Sequence, residues 1–263
     1  MSLCVKARRA RPLLGTLVEI TAVAADEAVL RRALAVAFIA VAEVQRLMSR
    51  YDPGSEVSCL NRNASSSSIS VHRWTCSVLR MANRFSEESG GAFDITLGAG
   101  GSWRDLVIDK QDRVRFRRPI TINLGGIAKG FAVDRAVEAM KKAGAVAGVV
   151  NAGGDLRVFG EKSEAILIRH PLNPGGRAGR VLLRERSLAT SAHYFTPELF
   201  DGRSGAPILD EVSVTVGADD CATADALTKI ALALREGARS VLERHHADAF
   251  LLERNCPAQW LTS

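Results

Sequence analysis

Hydrophobic positions recur along this chain at two periods, and the switches between them mark out its elements. Residues 13–22 (LLGTLVEITA) are rich in β-branched side chains and partly alternate apolar with polar, which predicts a strand entered through a glycine turn. Asp26 then offers an N-cap for a helix to about residue 48, with Glu27 in its first turn, Arg46 in its last, and Leu30, Leu34, Phe38, Val41 and Leu47 at core spacing. Residues 49–68 lose the periodicity, are polar and turn-rich, and end in a run of four serines, so they read as a loop at the edge of a site. A second helix is expected over 72–89, closed by Gly90-Gly91, and a third over about 128–143, stopped by Gly144. Short strands are expected at 107–109, 114–116, 120–124, 146–151, 155–159, 165–169, 179–184, 187–191 and 212–217. Helices over about 223–234 and 236–246 and a strand at 249–253 complete the pattern.

Strands and helices come in mixed runs rather than strict βαβ alternation. This predicts an α+β fold, with mixed or antiparallel sheets and flanking helices, rather than a doubly wound parallel sheet. No repeat is visible and no linker forces a boundary. Residues 1–263 therefore read as a single domain, with 173–177 at the edge of a smaller subdomain around 160–210.

Composition narrows the class. In 263 residues, 47% are apolar, enough to bury a sizeable core. The formal charge of +6 comes from scattered basic residues and only 5% of the chain is aromatic, which favours an anionic small ligand over nucleic acid. Cys4, Cys59, Cys76, Cys221 and Cys256 are widely spaced with no CxxC pair, and read as reduced thiols. The N-terminus MSLCVKARRARPLLG has no apolar signal core, and the longest uncharged apolar run, 33–42, falls well short of the roughly 20 residues that span a bilayer. The expectation is a cytoplasmic protein without a membrane anchor.

Several segments carry candidate chemistry. In INLGGIAKGFAVD (122–134) an apolar stretch runs into two glycines and opens a helix bearing Lys129. Close backbone approach, helix-start N–H groups and a lysine suit a pyrophosphate, although an ordinary glycine turn with a solvated lysine gives the same pattern. VNAGGDL (150–156) brings Asn151 and Asp155 to a sharp turn, a structural or a functional one. In TADALTK (223–229), Asp225 complements a helix dipole or holds Mg²⁺ against substrate phosphates. One turn on stands Lys229, which cannot ligate a cation while protonated. The loop MSRYDPGSEVSCLN (48–61) offers Tyr51 as a stacking surface and Ser55, Glu56 and Asn61 as polar contacts, or merely connects two elements. ELFDGRSGAP (198–207) places Asp201 and Arg203 in a turn where an ion pair is expected. The histidines show no metal-ligand spacing; His245 and His246 are expected at the surface, and His193, beside Tyr194, is the best acid–base candidate.

Taken in order, PLLGT, MSRYDPGSEVSCLN, GAFDIT, INLGGIAKGFAVD, VNAGGDL, LATSAHY, DGRSGAP and SVTV…ATADAL resemble the successive motifs of the FAD:protein FMN transferases, the ApbE family, over about residues 12–234. The resemblance implies an α+β, T-fold-related architecture that binds FAD, cleaves its pyrophosphate with Mg²⁺ and attaches FMN to a Thr or Ser of an acceptor flavoprotein. It implies FAD contacts at Leu14, Tyr51, Ala92, Phe93, Asp94, Asn123, Lys129 and Phe200. It places a metal at the carbonyl of Gly126 and the side chain of Asp225, with the residue four further on as third ligand. Three positions depart from the family pattern: Leu14 replaces Met, Asn123 replaces Asp, and Lys229 replaces Thr or another neutral residue. Where the family has a histidine this chain has Glu198, so Glu198 and His193 are candidate bases and Lys229 a candidate cation substitute. A non-catalytic FAD-binding or delivery protein and a Mg²⁺-dependent FAD pyrophosphatase giving FMN and AMP are the alternatives.

Overall fold

The computed structural model describes residues 4–96, 100–170, 173–192, 199–208, 212–253 and 259–262. From the N-terminus run strands β1 (Val5–Leu13) and β2 (Thr16–Ala24), helices α1 (Glu27–Met48) and α2 (Glu56–Asn63), strand β3 (Ile69–Ser70), helix α3 (Arg73–Glu88), strands β4 (Leu106–Ile108) and β5 (Arg113–Phe116), and helix α4 (Ala128–Lys142). Strands β6 (Ala147–Ala152), β7 (Asp155–Phe159), β8 (Glu164–His170), β9 (Asn173–Leu183), β10 (Ser187–Ala192), β11 (Phe200–Asp201), β12 (Ala206–Pro207) and β13 (Val212–Ala218) follow. Helices α5 (Cys221–Leu234) and α6 (Arg239–Arg244) and strands β14 (Asp248–Glu253) and β15 (Gln259–Trp260) close the chain.

The central sheet has eight strands in the order β1-β2-β6-β7-β10-β13-β14-β15, paired antiparallel throughout. On β2, alternate residues Val18, Ile20, Ala22 and Ala24 are fully buried, the period-2 signature of a strand with one face on the core. Helices α1, α4 and α5 cover that face: α1 packs on α4, α4 on α5, and α5 on β10 and β13. Helix α1 follows its sequence signals closely. Asp26 caps it by accepting from the Val29 N–H at 2.8 Å, and Leu30, Leu34, Phe38, Val41 and Leu47 are all buried. Leu156, Val158, Leu188 and Leu252 alternate to the opposite face, where Ile168 of β8 and Leu183 of β9 join them in a second, smaller core. Among the described residues no helix is long and apolar enough to cross a membrane.

The structure departs from the sequence pattern at definite places. Inside the expected loop 49–68 lies α2, started by Ser55, whose buried hydroxyl accepts from the Ser58 N–H at 3.0 Å. Residues 120–124 belong to no strand. Asn61 of α2 clamps them, donating to the Ile122 carbonyl at 3.0 Å and accepting from the Ile122 N–H at 2.8 Å, so a side chain takes the bonds a neighbouring strand would have taken. Residues 173–177, read as a loop edge, lie within β9. The stretch 236–246 divides into a 3-10 turn over Arg235–Ala238 and the short α6. His245 is not a surface residue: its Nε2 pairs with Glu88 Oε2 at 2.6 Å and its ring lies 5.0 Å from that of Phe85.

The contact between α4 and α5 fixes how closely the starts of these two helices approach. A Cβ on Gly130 would stand 2.2 Å from the Cys221 carbonyl oxygen and 2.8 Å from the Ala222 Cα, so the two backbones meet with no room for a side chain. Gly130→Ala is therefore expected to destabilise the fold by about 1–3 kcal/mol, because backbone rather than a flexible side-chain tip must move. Thermal unfolding should report a fall of about 2–4 °C per kcal/mol in a chain of this size, and an unchanged melting temperature would refute the close approach.

Candidate functional site

One end of the sheet gathers most of the motifs. The β1–β2 turn and the β6–β7 turn lie side by side: Val18 pairs with Ala152, and a Cβ on Gly153 would stand 2.5 Å from the Thr16 hydroxyl. Gly153 and Gly154 carry φ of +67° and +108°, the left-handed region that glycine enters without strain, and the tight turn they make leaves Asp155 at the head of β7. The turn before α4 is built locally. Asn123 accepts from the Gly125 N–H at 2.9 Å, and the Ile127 and Ala128 N–H groups both donate to the Leu124 carbonyl, at 3.0 and 2.8 Å. Gly126 is hemmed in, since a Cβ there would lie 3.3 Å from the Phe93 ring and 3.7 Å from the Lys229 side chain.

Two lysines and two aspartates meet where these pieces converge. Lys129, on the first turn of α4, pairs with Asp155 Oδ2. Lys229, one turn beyond Asp225 on α5, pairs with Asp225 Oδ1 and donates to the Asp225 carbonyl at 3.1 Å, while Asp225 Oδ2 accepts from the Gly130 N–H at 3.1 Å. Behind them, Thr228 donates to the same carbonyl at 2.7 Å and bonds the Ser191 hydroxyl of β10 at 2.7 Å. The cluster is layered. The side chains of Asp155 and Asp225 are 1% and 0% exposed, those of Lys129 and Lys229 33% and 16%, so an approaching ligand reaches the lysine side chains before the carboxylates.

The charges set one another. Burial works to raise the Asp225 carboxyl, but Lys229, Lys129 and the Gly130 N–H outweigh it and hold it below the ordinary carboxylate range. Burial and the negative charge of Asp225 push Asp155 up, against Lys129, and its Oδ1 is buried without a hydrogen-bond partner. Burial would lower Lys129, yet Asp155 and Asp225 raise it above its ordinary value, so it stays an ammonium. Cys221, alongside, is pushed well up by burial and by the neighbouring carboxylates, and remains a thiol.

Around this centre the other expected contacts take varied positions. Phe93 is buried against Phe85 and Ala92 is buried beside it. Asp94 is tied down by accepting from the Thr96 and Trp103 N–H groups at 2.8 and 3.0 Å. Phe200 lies on the β11–β12 ribbon, which docks here: Gly202 donates to the Ala92 carbonyl at 3.0 Å, and a Cβ on it would strike the Gly91 carbonyl at 2.3 Å. The expected ion pair in that turn is present, Arg203 to Asp201 at 2.6 Å. Leu14 has φ +56° in the β1–β2 turn, its N–H held by Gln45 of α1 at 2.6 Å. Tyr51, just past the end of α1, is 80% exposed beneath the Arg50 guanidinium, 4.7 Å from its ring centre. His193 and Glu198 lie outside the described residues.

The structure thus brings Gly126, Lys129, Asp225 and Lys229 into one cluster with Phe93 at its border. It adds Asp155, which the sequence places in a turn that is structural or functional, and Thr228 and Ser191, which lie inside the TADALTK and LATSAHY segments without being singled out there. It also adds Asp134, which accepts from the Cys221 and Ala222 N–H groups at 3.0 and 2.9 Å and so anchors the start of α5. The only sequence signal for Asp155 is a carboxylate beside two glycines.

A divalent metal does not fit the residues at 126, 225 and 229. One carboxylate oxygen of Asp225 and its carbonyl face the Lys229 ammonium, the other oxygen takes a backbone N–H, and the third position presents a cation instead of a ligand. Among the described residues no group of three or more His, Cys, Asp or Glu side chains could hold a metal.

The fold and site define the class: an antiparallel α+β protein whose glycine-led helix starts meet over a buried, charge-balanced lysine and aspartate cluster. The chain belongs to the ApbE family, whose model matches residues 14–102 and 99–251. Its relatives include the FAD:protein FMN transferase of Vibrio cholerae, 27% identical over 227 residues that cover 70% of this chain and 68% of that one. The enzyme of the same name from Haemophilus influenzae is 27% identical over 262 residues, covering 81% and 75% of the two chains. The crystal structure of the ApbE protein of Thermotoga maritima superposes with a TM-score of 0.87 at 23% identity, covering 97% of each chain, which establishes the shared fold.

Proposed function

We propose that this protein is an FAD:protein FMN transferase that moves the FMN half of FAD onto a Ser or Thr hydroxyl of an acceptor flavoprotein. The acceptor oxygen attacks the phosphorus on the FMN side of the pyrophosphate. The bond from that phosphorus to the bridging oxygen breaks, AMP leaves with the electron pair, and the hydroxyl proton passes to a base. Such transfers depend on positioning and charge neutralisation more than on covalent help. The observation that carries the reading is the ammonium layer of Lys129 and Lys229 beside the Gly125-Gly126 turn, backed by carboxylates that hold both lysines in place. Phe93, Asp94 and Phe200, brought to one side of that turn by the docked β11–β12 ribbon, support a flavin-binding wall next to it. Leu14 and Tyr51 are assigned to the outer part of the FAD site, and Glu198 or His193 to the base. The chain acts in this reading as one domain over residues 1–263, in the cytoplasm, where its cysteines stay reduced.

Incubation with FAD and a flavoprotein carrying an exposed Ser or Thr acceptor tests the proposal by its products. Covalently bound FMN and AMP in about equal amounts are expected. Free FMN with AMP would instead make the protein an FAD pyrophosphatase, and tight FAD binding with no product a delivery protein; either result overturns the transfer step.

A further inference from the structure

We infer that Lys229 is a built-in counter-cation for the FAD pyrophosphate, so that FAD binds and transfers without a divalent metal. The inference rests on the proposed transferase reading and concerns how its site handles charge. Lys229 is not a loose surface lysine. Its ammonium is held by Asp225 Oδ1 and by the Asp225 carbonyl at 3.1 Å, and its stem runs along Gly126, 3.7 to 3.8 Å from where a Cβ would stand. Lys129 is pinned in the same way by Asp155.

The four groups balance to zero, but not in space, because the carboxylates are fully buried while the two lysine side chains reach partly to the surface. A pyrophosphate diester carries about two negative charges at neutral pH, and two fixed ammonium groups match it without a third partner. A divalent ion bound at Asp225 would instead share its carboxylate with the Lys229 ammonium and sit against that positive charge unless the ammonium moved away. In the transfer step the charge that builds on the departing AMP phosphate falls to Lys229 and Lys129, and no outside cation enters the balance. The neutral Thr228 next to Lys229 cannot take the role, since its hydroxyl is committed to the Asp225 carbonyl and Ser191.

The test compares FAD binding, read by flavin fluorescence, and transfer to the acceptor in EDTA and in excess Mg²⁺. The wild-type protein should show the same Kd in both within about twofold, and the same transfer rate. Lys229→Thr should bind FAD about tenfold or more weakly in EDTA and recover when Mg²⁺ or Mn²⁺ is supplied. With Mn²⁺ as probe, electron paramagnetic resonance should find no tightly bound ion on the wild type with FAD and one on Lys229→Thr. Wild-type binding or transfer that requires Mg²⁺, or Mn²⁺ held by the wild type, overturns the inference and leaves the transferase reading intact. No FAD binding in either buffer overturns both. The wild-type comparison decides alone if Lys229→Thr does not fold.

Discussion

Lys129→Met is expected to slow flavin transfer by about 10²–10³-fold, the loss typical when one preorganised donor is taken from developing charge in a water-poor site. Methionine keeps most of the stem and removes only the ammonium. On the ligand side, the pyrophosphate would then meet Lys229 alone. On the protein side, Asp155 would be left in the interior without its hydrogen-bonded cation, with only the Lys229 charge still acting on it, its Oδ1 already unpartnered and its carboxyl already pushed up by burial and by Asp225. Removing one member of a buried pair typically costs about 3–5 kcal/mol, because the other charge stays behind. The two consequences separate in a double variant. Lys129→Met with Asp155→Asn removes both charges, so most of the stability should return while transfer stays slow. Rapid-quench transfer assays and thermal melts on the two variants check this; wild-type transfer by Lys129→Met would remove Lys129 from the site.

How much of the molecule can be read from its sequence depends on how local each feature is. Helix α1 is legible from end to end because its cap, its first-turn acid and its apolar stripe all lie within the segment itself. The glycine turn and Lys129 are legible as an anion site for the same reason, although an ordinary turn explains them equally well. The partnership of Lys129 with Asp155 is not legible, because the two meet only when β7 is threaded beside α4, 26 positions later. The reading of 120–124 as a strand fails on another long-range fact: its composition is strand-like, but Asn61 of α2 supplies the backbone partners, and α2 itself is hidden by the polar make-up of its loop-like surroundings. The positions of Gly126, Asp225 and Lys229 come from the family resemblance. The residues alone leave Asp225 open to a dipole-complementing role, yet it receives the Gly130 N–H of a different helix and lies at the cluster's centre.

Asp134→Ala is expected to destabilise the protein by about 3–5 kcal/mol, through a junction rather than through the ligand site. Asp134 Oδ1 accepts from the Cys221 N–H at 3.0 Å and from Arg157 at 2.6 Å, and Oδ2 from the Ala222 N–H at 2.9 Å. One side chain on α4 thus satisfies two N–H groups at the start of α5 and neutralises a guanidinium of β7, with the aspartate side chain 4% exposed and the arginine 22%. Alanine leaves all three donors unpaired at the point where Gly130 already presses the helices together. Asp134→Asn should cost less, about 1–2 kcal/mol, since the amide oxygen still accepts and no buried charge has to be held. A pH series separates the terms. Burial raises the folded-state carboxyl above its ordinary value, so the contribution of Asp134 is fullest below the unfolded value and declines as pH rises through the folded one. The stability gap between wild type and Asp134→Asn should accordingly narrow as pH rises above the ordinary carboxylate range. Denaturant melts measure that gap, and a gap that widens with pH would mean that Arg157 and the two N–H groups outweigh burial and favour the ionised carboxylate.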